Sequence, residues 1–246
     1  MVENDNIIII NNKETTKQEI IENAKVFFRE RIAKKHMSNT EKLTSLDKFN
    51  VNPFLNKYLA NFLTGNSDSY SIAKALVYPR ILGTSINTTF GNQMQNFIND
   101  VLGSQGSLSP GIDIEFIDKI DGHRKFCQIK AGPNTINKDD IETIERHFER
   151  LINLARTNNR RVVPTDFVVG TLYGSYQTLN SFYLIIDKKY PVLAGNDFWT
   201  HLTGDKYFFD ELTDAIGDIA NEFDGTEIIA EIIDSLSKEI ESNIVF

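Results

Sequence analysis

The chain has 246 residues, 41% of them hydrophobic, enough to bury a sizeable core as one large domain or as a domain with a helical subdomain, and we favour the second. Its one cysteine, Cys127, excludes an intrachain disulfide framework; in a predicted strand it reads as a buried inert thiol, and a reducing, cytoplasmic setting is the expectation. The net charge of −8 is carried by the C-terminal end, where Gly204 to Phe246 hold twelve Asp/Glu and two Lys; residues 1–203 therefore stand at +2, compatible with a nucleic-acid partner without arguing for one.

The start, MVENDNIIII, has four successive isoleucines and no basic region before them, so neither a secretory signal nor a membrane span is expected. Over residues 15–35, Ile20, Ile21, Ala24, Phe27, Phe28 and Ile32 recur at helical spacing. The basic run Arg29, Arg31, Lys34, Lys35 with His36 reads as the solvated face of that helix, a DNA-backbone contact being the alternative. Residues 37–50 are a polar connection. Pro53 fits the first turn of a helix carrying Phe54, Leu55, Tyr58, Leu59 and Phe62, which Gly65 stops. A helix from about Ser69 to Val77 breaks near Pro79. Phe90, Met94, Phe97, Ile98, Val101 and Leu102 mark another over 88–102, with Gly103 as its C-cap. GSQGSLSP, 103–110, is a flexible connection, and no Walker A or Rossmann glycine pattern occurs anywhere.

Residues 111–118 and 124–131 alternate β-branched and aromatic side chains, and Asp121-Gly122 between them predicts a two-residue hairpin turn. Counting outward pairs Ile120 with His123, Ile117 with Phe126, Glu115 with Gln128 and Asp113 with Lys130 on one polar face. Ile112, Ile114, Phe116, Cys127 and Ile129 share the other, buried face. Hydrolysing a phosphodiester needs an activated water and neutralisation of the charge that grows on phosphate oxygens, which calls for a hard divalent cation. Asp113 is the candidate ligand, a backbone carbonyl near Ile129 a further one, and Lys130 the group that positions water or stabilises the pentavalent charge. The bland reading of the same residues is an amphipathic hairpin with one polar face.

Asn137 to Asp140 look like a capped helix start, and Ile141, Ile144, Phe148, Leu151 and Ile152 continue the helix to about Arg156. His147 has no second ligand at i±4 and reads as an ordinary surface histidine. The basic turn TNNRRVVP precedes a predicted strand over 166–173 and another over 181–187; hairpin, helix, then strands describe an α/β sheet with mixed pairing. Trp199 is a core anchor. Phe208 to Phe223 and Ile228 to Leu236 form two amphipathic helices split at Gly225, whose stripes pack on the sheet or on a second subunit.

Pro110-Gly111-Ile112-Asp113, then Gln128-Ile129-Lys130, then AGPNTINKDD opening a helix, together resemble the PD-(D/E)XK nuclease superfamily. More narrowly they look like type II restriction endonucleases of the group that reads GGNCC-like sites, where a lysine followed by a Gly-Pro-Asn-Thr loop is typical; GNDFWTHLTGD, 195–205, resembles the same group. The resemblance runs from about Gly83 to Asp205. It implies a restriction-endonuclease-like central mixed β-sheet flanked by helices, here a nuclease core over 83–246 with acidic C-terminal helices, preceded by a helical subdomain over 1–82.

By the same resemblance Asp113 binds Mg2+ and Lys130 is the catalytic lysine. Gln128 stands where the superfamily usually has Glu or Asp, and an amide oxygen ligates a cation without supplying charge; Glu115, opposite it in the expected register, is the candidate for the missing carboxylate. Gln95 stands where the helix before the hairpin often carries a glutamate, and it equally reads as an exposed helix residue. The activity implied is Mg2+-dependent cleavage of double-stranded DNA at a short palindromic or nearly palindromic site by a homodimer with one active site per strand. Asn134, Thr135, Asn137 and Lys138 follow Lys130 and are candidates for DNA contact, although Asn and Thr are also turn and cap residues. Arg160 and Arg161 are an alternative cluster for base reading or phosphate clamping. Two other readings stay open: a repair or recombination nuclease of the same fold, and a DNA-binding module whose catalysis is lost, to which the neutral Gln128 and Gln95 point.

Overall fold

The computed structural model describes residues 7–103 and 109–242; most of the expected connection at 103–110 lies outside the described residues. In chain order the elements are β1 (Ile7–Ile10), β2 (Lys13–Thr16), α1 (Lys17–Phe27), α2 (Lys34–Thr40), α3 (Pro53–Thr64), α4 (Ser69–Pro79), α5 (Ile86–Asn92) and α6 (Met94–Val101). After them come β3 (Ile114–Ile117), β4 (Arg124–Lys130), α7 (Lys138–Thr157), β5 (Phe167–Thr171), α8 (Ser181–Asp187), β6 (Val192–Ala194), α9 (Asn196–Thr203), α10 (Phe208–Ala220) and α11 (Thr226–Ser242). The helix expected over 15–35 is divided: a π-helical stretch, Phe28–Ala33, separates α1 from α2. Among the described residues no helix is long and apolar enough to cross a membrane.

Among the described residues six strands form one mixed sheet in the order β2-β1-β3-β4-β5-β6. The four isoleucines at the start are its β1: Ile8 and Ile10 are 1% exposed while Ile7 and Ile9 are half-buried, the period-two signature of a strand with one face on the core. Asn11 and Asn12, both at positive φ, close a two-residue turn into β2, where Ile10 pairs with Lys13. Asn11 also ties this hairpin to β3, donating its N–H to the Glu115 carbonyl and accepting the Glu115 N–H at Oδ1, each at 2.6 Å.

The β3–β4 hairpin is present, but its register is two residues from the expected one: Ile114 faces Cys127, Glu115 faces Phe126 and Ile117 faces Arg124. A two-residue slip leaves every side chain on its expected face. The cause is Asp118, fully buried, which turns 118–123 into a longer loop: its carboxylate accepts the Ile120 N–H (2.8 Å) and meets His201 Nδ1 (2.7 Å) of α9. Lys125 reaches back from β4 to Asp121 (2.5 Å) and donates to the Thr165 carbonyl (3.1 Å). These partners outweigh the local preference of Asp-Gly for a tight turn.

β4, β5 and β6 run parallel, with α7 and α8 as the crossovers. Ile144, Phe148 and Leu151 of α7 and Tyr183 and Ile186 of α8 pack with Phe167 and Val169. Residues 181–187 were expected as a strand; they form α8 because Asn180 caps it, accepting from the Phe182 and Tyr183 N–H groups (3.0 and 3.3 Å). Burial there follows i and i+3, not alternation: Tyr183 and Ile186 are sealed while Leu184 and Ile185 are exposed. On the sheet's other face Phe198 of α9 meets Phe116 edge-on, and the buried Trp199 donates its indole N–H to the Leu172 carbonyl (2.9 Å).

The chain divides into two compact units, Met1–Phe27 with Met94–Gly217, and Phe28–Gln93 with Asp218–Phe246. The first contains the sheet. The boundary expected after residue 82 thus differs from this division, because β1, β2 and α1 join the sheet and α11 joins the helical unit. In that second unit Ile72, Ala73, Val77 and Ile81 pack against Ile232, Ile233, Leu236 and Ile240 of α11. Each sealed Ile or Leu contributes about 1.5–3 kcal/mol. α3 lies on α4 through its buried Ala60 and Asn56, and its large apolar side chains face away: Phe54 is 91%, Phe62 79% and Tyr58 63% exposed.

Candidate active site

Asp113 immediately precedes β3. Its N–H donates to the Cys127 carbonyl (2.9 Å) and its Oδ2 accepts the Ile129 N–H (2.7 Å), which fixes the carboxylate beside the C-terminal half of β4. Continuing the hairpin register by one residue sets Asp113, not Glu115, next to Gln128. Burial pushes the Asp113 carboxyl above its ordinary value, against the Ile129 N–H and the positive charge of Lys130. It is a poorly solvated acid, which a cation would stabilise as the anion.

Lys130 ends β4, and its Nζ lies 3.3 Å from Asp140 Oδ1 on the first turn of α7. Asp140 is also half of a capping box: its Oδ2 accepts the Asn137 N–H (2.9 Å) while Asn137 Oδ1 accepts the Asp139 and Asp140 N–H groups. Burial tends to raise the Asp140 carboxyl, but the Asn137 N–H and the Lys130 ammonium hold it below the usual carboxylate range. The polar loop after Lys130 therefore does more than lead away from the site, since its helix start supplies the lysine with a partner.

Gln128 is 7% exposed. Its Nε2 donates to the Gly111 carbonyl and lies 2.8 Å from His147 Nδ1. His147, expected as an ordinary surface residue, is half-buried on the inward side of α7, within electrostatic reach of Asp113. Gly111 sits at φ +85, and a Cβ there would overlap the imidazole, so glycine is what lets the ring approach this turn so closely. No spacing within the chain announces this contact, because 128 and 147 meet only through the packing of α7 on β4.

The other expected residues are distributed more widely. Glu115 is held by Arg124 (3.2 Å), toward the other end of the hairpin from Lys130. Ile129 is buried in β4 beside Gly170, its N–H taken by Asp113. Asn134 and Lys138 are exposed; Thr135 Oγ1 donates to the Gly132 carbonyl (2.8 Å) and meets Tyr183 Oη; Asn137 caps α7. Arg160 and Arg161 line a cleft of about 440 Å³ with His123 and Arg124, at the start of β4 and roughly 20 Å along the strand from Lys130. Gln95 is exposed and bonded to Asn99 (3.3 Å). Cys127 is fully buried, and burial with the neighbouring Asp113 pushes its thiol well up, which leaves it inert.

Among the described residues no group of three or more His, Cys, Asp or Glu side chains forms a metal cage. What the site offers is one half-buried carboxylate with the Gln128 side-chain amide and the β4 backbone beside it, a donor set that fits a hard cation which keeps part of its water shell, as Mg2+ does, and does not fit a thiophilic metal.

A family model described as type II restriction endonuclease EcoO109I matches residues 15–224. No curated protein matches the chain.

Proposed function

The chain belongs to the type II restriction endonuclease EcoO109I family, a family of site-specific DNA endonucleases, and on that premise we propose that it cuts both strands of a short palindromic or nearly palindromic duplex site of GGNCC type, in the cytoplasm, with Mg2+. The observation that carries the reading is the bond between the Asp113 carboxylate and the Ile129 N–H, which sets a half-buried acid beside the strand that ends in Lys130. Asp113, the Gln128 amide oxygen and the Ile129 carbonyl would hold the ion. When bound, Mg2+ supplies positive charge to the phosphate oxygens as the pentavalent state develops. Lys130 orients the attacking water and shares that stabilisation, and Asp140 keeps its ammonium in place. Asn134, Thr135, Asn137 and Lys138 lie on the segment that runs from the lysine to the first residue of α7, where DNA backbone would pass. Glu115, engaged by Arg124, is assigned no metal.

Two cuts across a two-fold site call for two copies of the chain. The exposed face of α3, with Phe54, Leu55, Tyr58, Leu59, Phe62 and Leu63, is the surface we assign to that pairing. Aromatic side chains bury about 150–250 Å² each, so three of them with three leucines approach the ~800 Å² per partner of a stable interface.

The deciding experiment is a digest of supercoiled plasmid with Mg2+. Discrete fragments are expected. Structure-dependent nicking would indicate a repair or recombination nuclease, and retarded but uncut DNA a silent binding module.

A further inference from the structure

The contacts of Gln128 carry more than its place in a motif. A carbonyl oxygen has only lone pairs, so the amide atom facing the Gly111 carbonyl must be nitrogen. That same nitrogen lies 2.8 Å from His147 Nδ1. A primary amide has two N–H groups; one goes to Gly111, and the other requires Nδ1 to be an acceptor. The neutral His147 ring therefore carries its proton on Nε2. With both N–H groups engaged, the amide oxygen is the atom of Gln128 left to be presented to a cation.

We propose that His147 is a positioning residue, which together with the Gly111 carbonyl locks the Gln128 amide so that its oxygen, and not its NH2 group, is the atom that a bound cation would meet, and that this site is built around an amide at 128 in place of a carboxylate. The proposal rests on the nuclease reading above for the identity of the metal, but its hydrogen-bond logic stands apart from it. An unrestrained amide has two orientations of nearly equal shape, one of which turns an NH2 group to the cation. His147 removes that choice. A glutamate at 128 would place an acceptor against the Gly111 carbonyl and against the Nδ1 lone pair, and although the imidazole can move its proton to Nδ1, the Gly111 carbonyl has none to give. The neutral residue at 128 is thus matched by its surroundings, and the charge a carboxylate brings is not simply missing.

Three measurements test this on the full-length protein. Nitrogen NMR of the imidazoles, at a pH where the rings are neutral, should show His147 with a bare Nδ1 and a protonated Nε2; a protonated Nδ1 overturns the proposal without reference to metal or activity. Calorimetric Mg2+ titration should show His147→Leu binding about 10–100-fold more weakly, the usual cost of losing a group that orients a ligand. His147→Asn, whose Oδ1 occupies the branch position of Nδ1 and also accepts, should restore affinity to within a few-fold. Gln128→Glu should bind Mg2+ no more tightly than wild type. Unchanged affinity in His147→Leu overturns the orienting role, and a gain of tenfold or more in Gln128→Glu overturns the amide-built site. Should wild type cut no DNA at all, the nuclease reading fails while the imidazole spectrum still decides the hydrogen-bond assignment.

Discussion

Lys130 and Asp140 meet at 3.3 Å, so the residue assigned to the chemistry is anchored by the helix start that the next ten residues build. Lys130→Ala should lower the cleavage rate by about 10²–10³ while leaving DNA affinity within a few-fold, because the group acts on developing charge. Asp140→Asn keeps an acceptor for the Asn137 N–H and loses the charge facing Lys130, so it should slow cutting by a smaller factor with α7 intact. Single-turnover rates and DNA titrations on both variants give the comparison. A Lys130→Ala enzyme that cuts like wild type removes the assignment.

Asp113 ties stability to pH. The unfolded chain ionises it near the ordinary value of 3.8, whereas in the folded protein burial has raised it. Between those two values the native state holds the extra proton, so metal-free stability falls as pH rises through that window and stays lowered above it. Asp113→Asn removes this penalty and keeps an acceptor for the Ile129 N–H. In EDTA at neutral pH the variant should melt above wild type, with the gap closing as pH approaches 3.8, and it should not cut DNA. A melting temperature equal to or below wild type contradicts the account.

Glu115→Gln tests the register. Since Glu115 pairs with Arg124, its neutralisation should leave the Mg2+ concentration for half-maximal cutting unchanged. Arg124 is more than a third exposed, so the lost ion pair should also cost little stability. A several-fold rise in the Mg2+ requirement would bring this carboxylate back into the metal site.

Lys138 opens α7 with its side chain exposed, where the helix N-terminus already favours an anion. Lys138→Ala should weaken cognate and random DNA alike and reduce the salt slope by about one, as expected for a phosphate contact. If specificity instead relaxes at one base pair, with about 1–3 kcal/mol lost on the cognate site, Lys138 reads guanine.

Tyr58→Glu with Phe62→Glu places charge on a face that is already solvent-exposed in the single chain, so the helix itself should survive. Sedimentation should show these chains as monomers with unchanged circular dichroism, and plasmid cutting should fall steeply at concentrations where wild type is paired. A double variant that still sediments as a dimer moves the pairing surface elsewhere.

Elements governed by local chemistry were legible in the sequence. The capping residues of α7, the Pro53 start and Gly65 stop of α3, and the polar and apolar faces of the hairpin all followed from neighbours a few positions apart. What escaped depends on distant partners. The Asp121-Gly122 turn lost to Asp118 because His201 and Lys125 reach it from elsewhere in the fold. Residues 181–187 are rich in strand-forming side chains, yet one cap at Asn180 and burial of Tyr183 and Ile186 make them helical. β6 went unseen, as only three residues pair there. Asp113 and Lys130 were singled out by motif as candidates, whereas Asp140, which the lysine meets, and His147, which the Gln128 amide meets, carry no mark in the chain that ties them to those residues.

The polypeptide passes between the two units at 27/28, 93/94 and 217/218, and each unit is assembled from two stretches of chain. Neither is a single continuous stretch of the sequence. Removing residues 1–27 takes β1 and β2 from the sheet and α1 from its unit, and removing the residues after 217 takes α11 from the helical unit. Either unit, to be moved whole, must be taken as two separate pieces of chain.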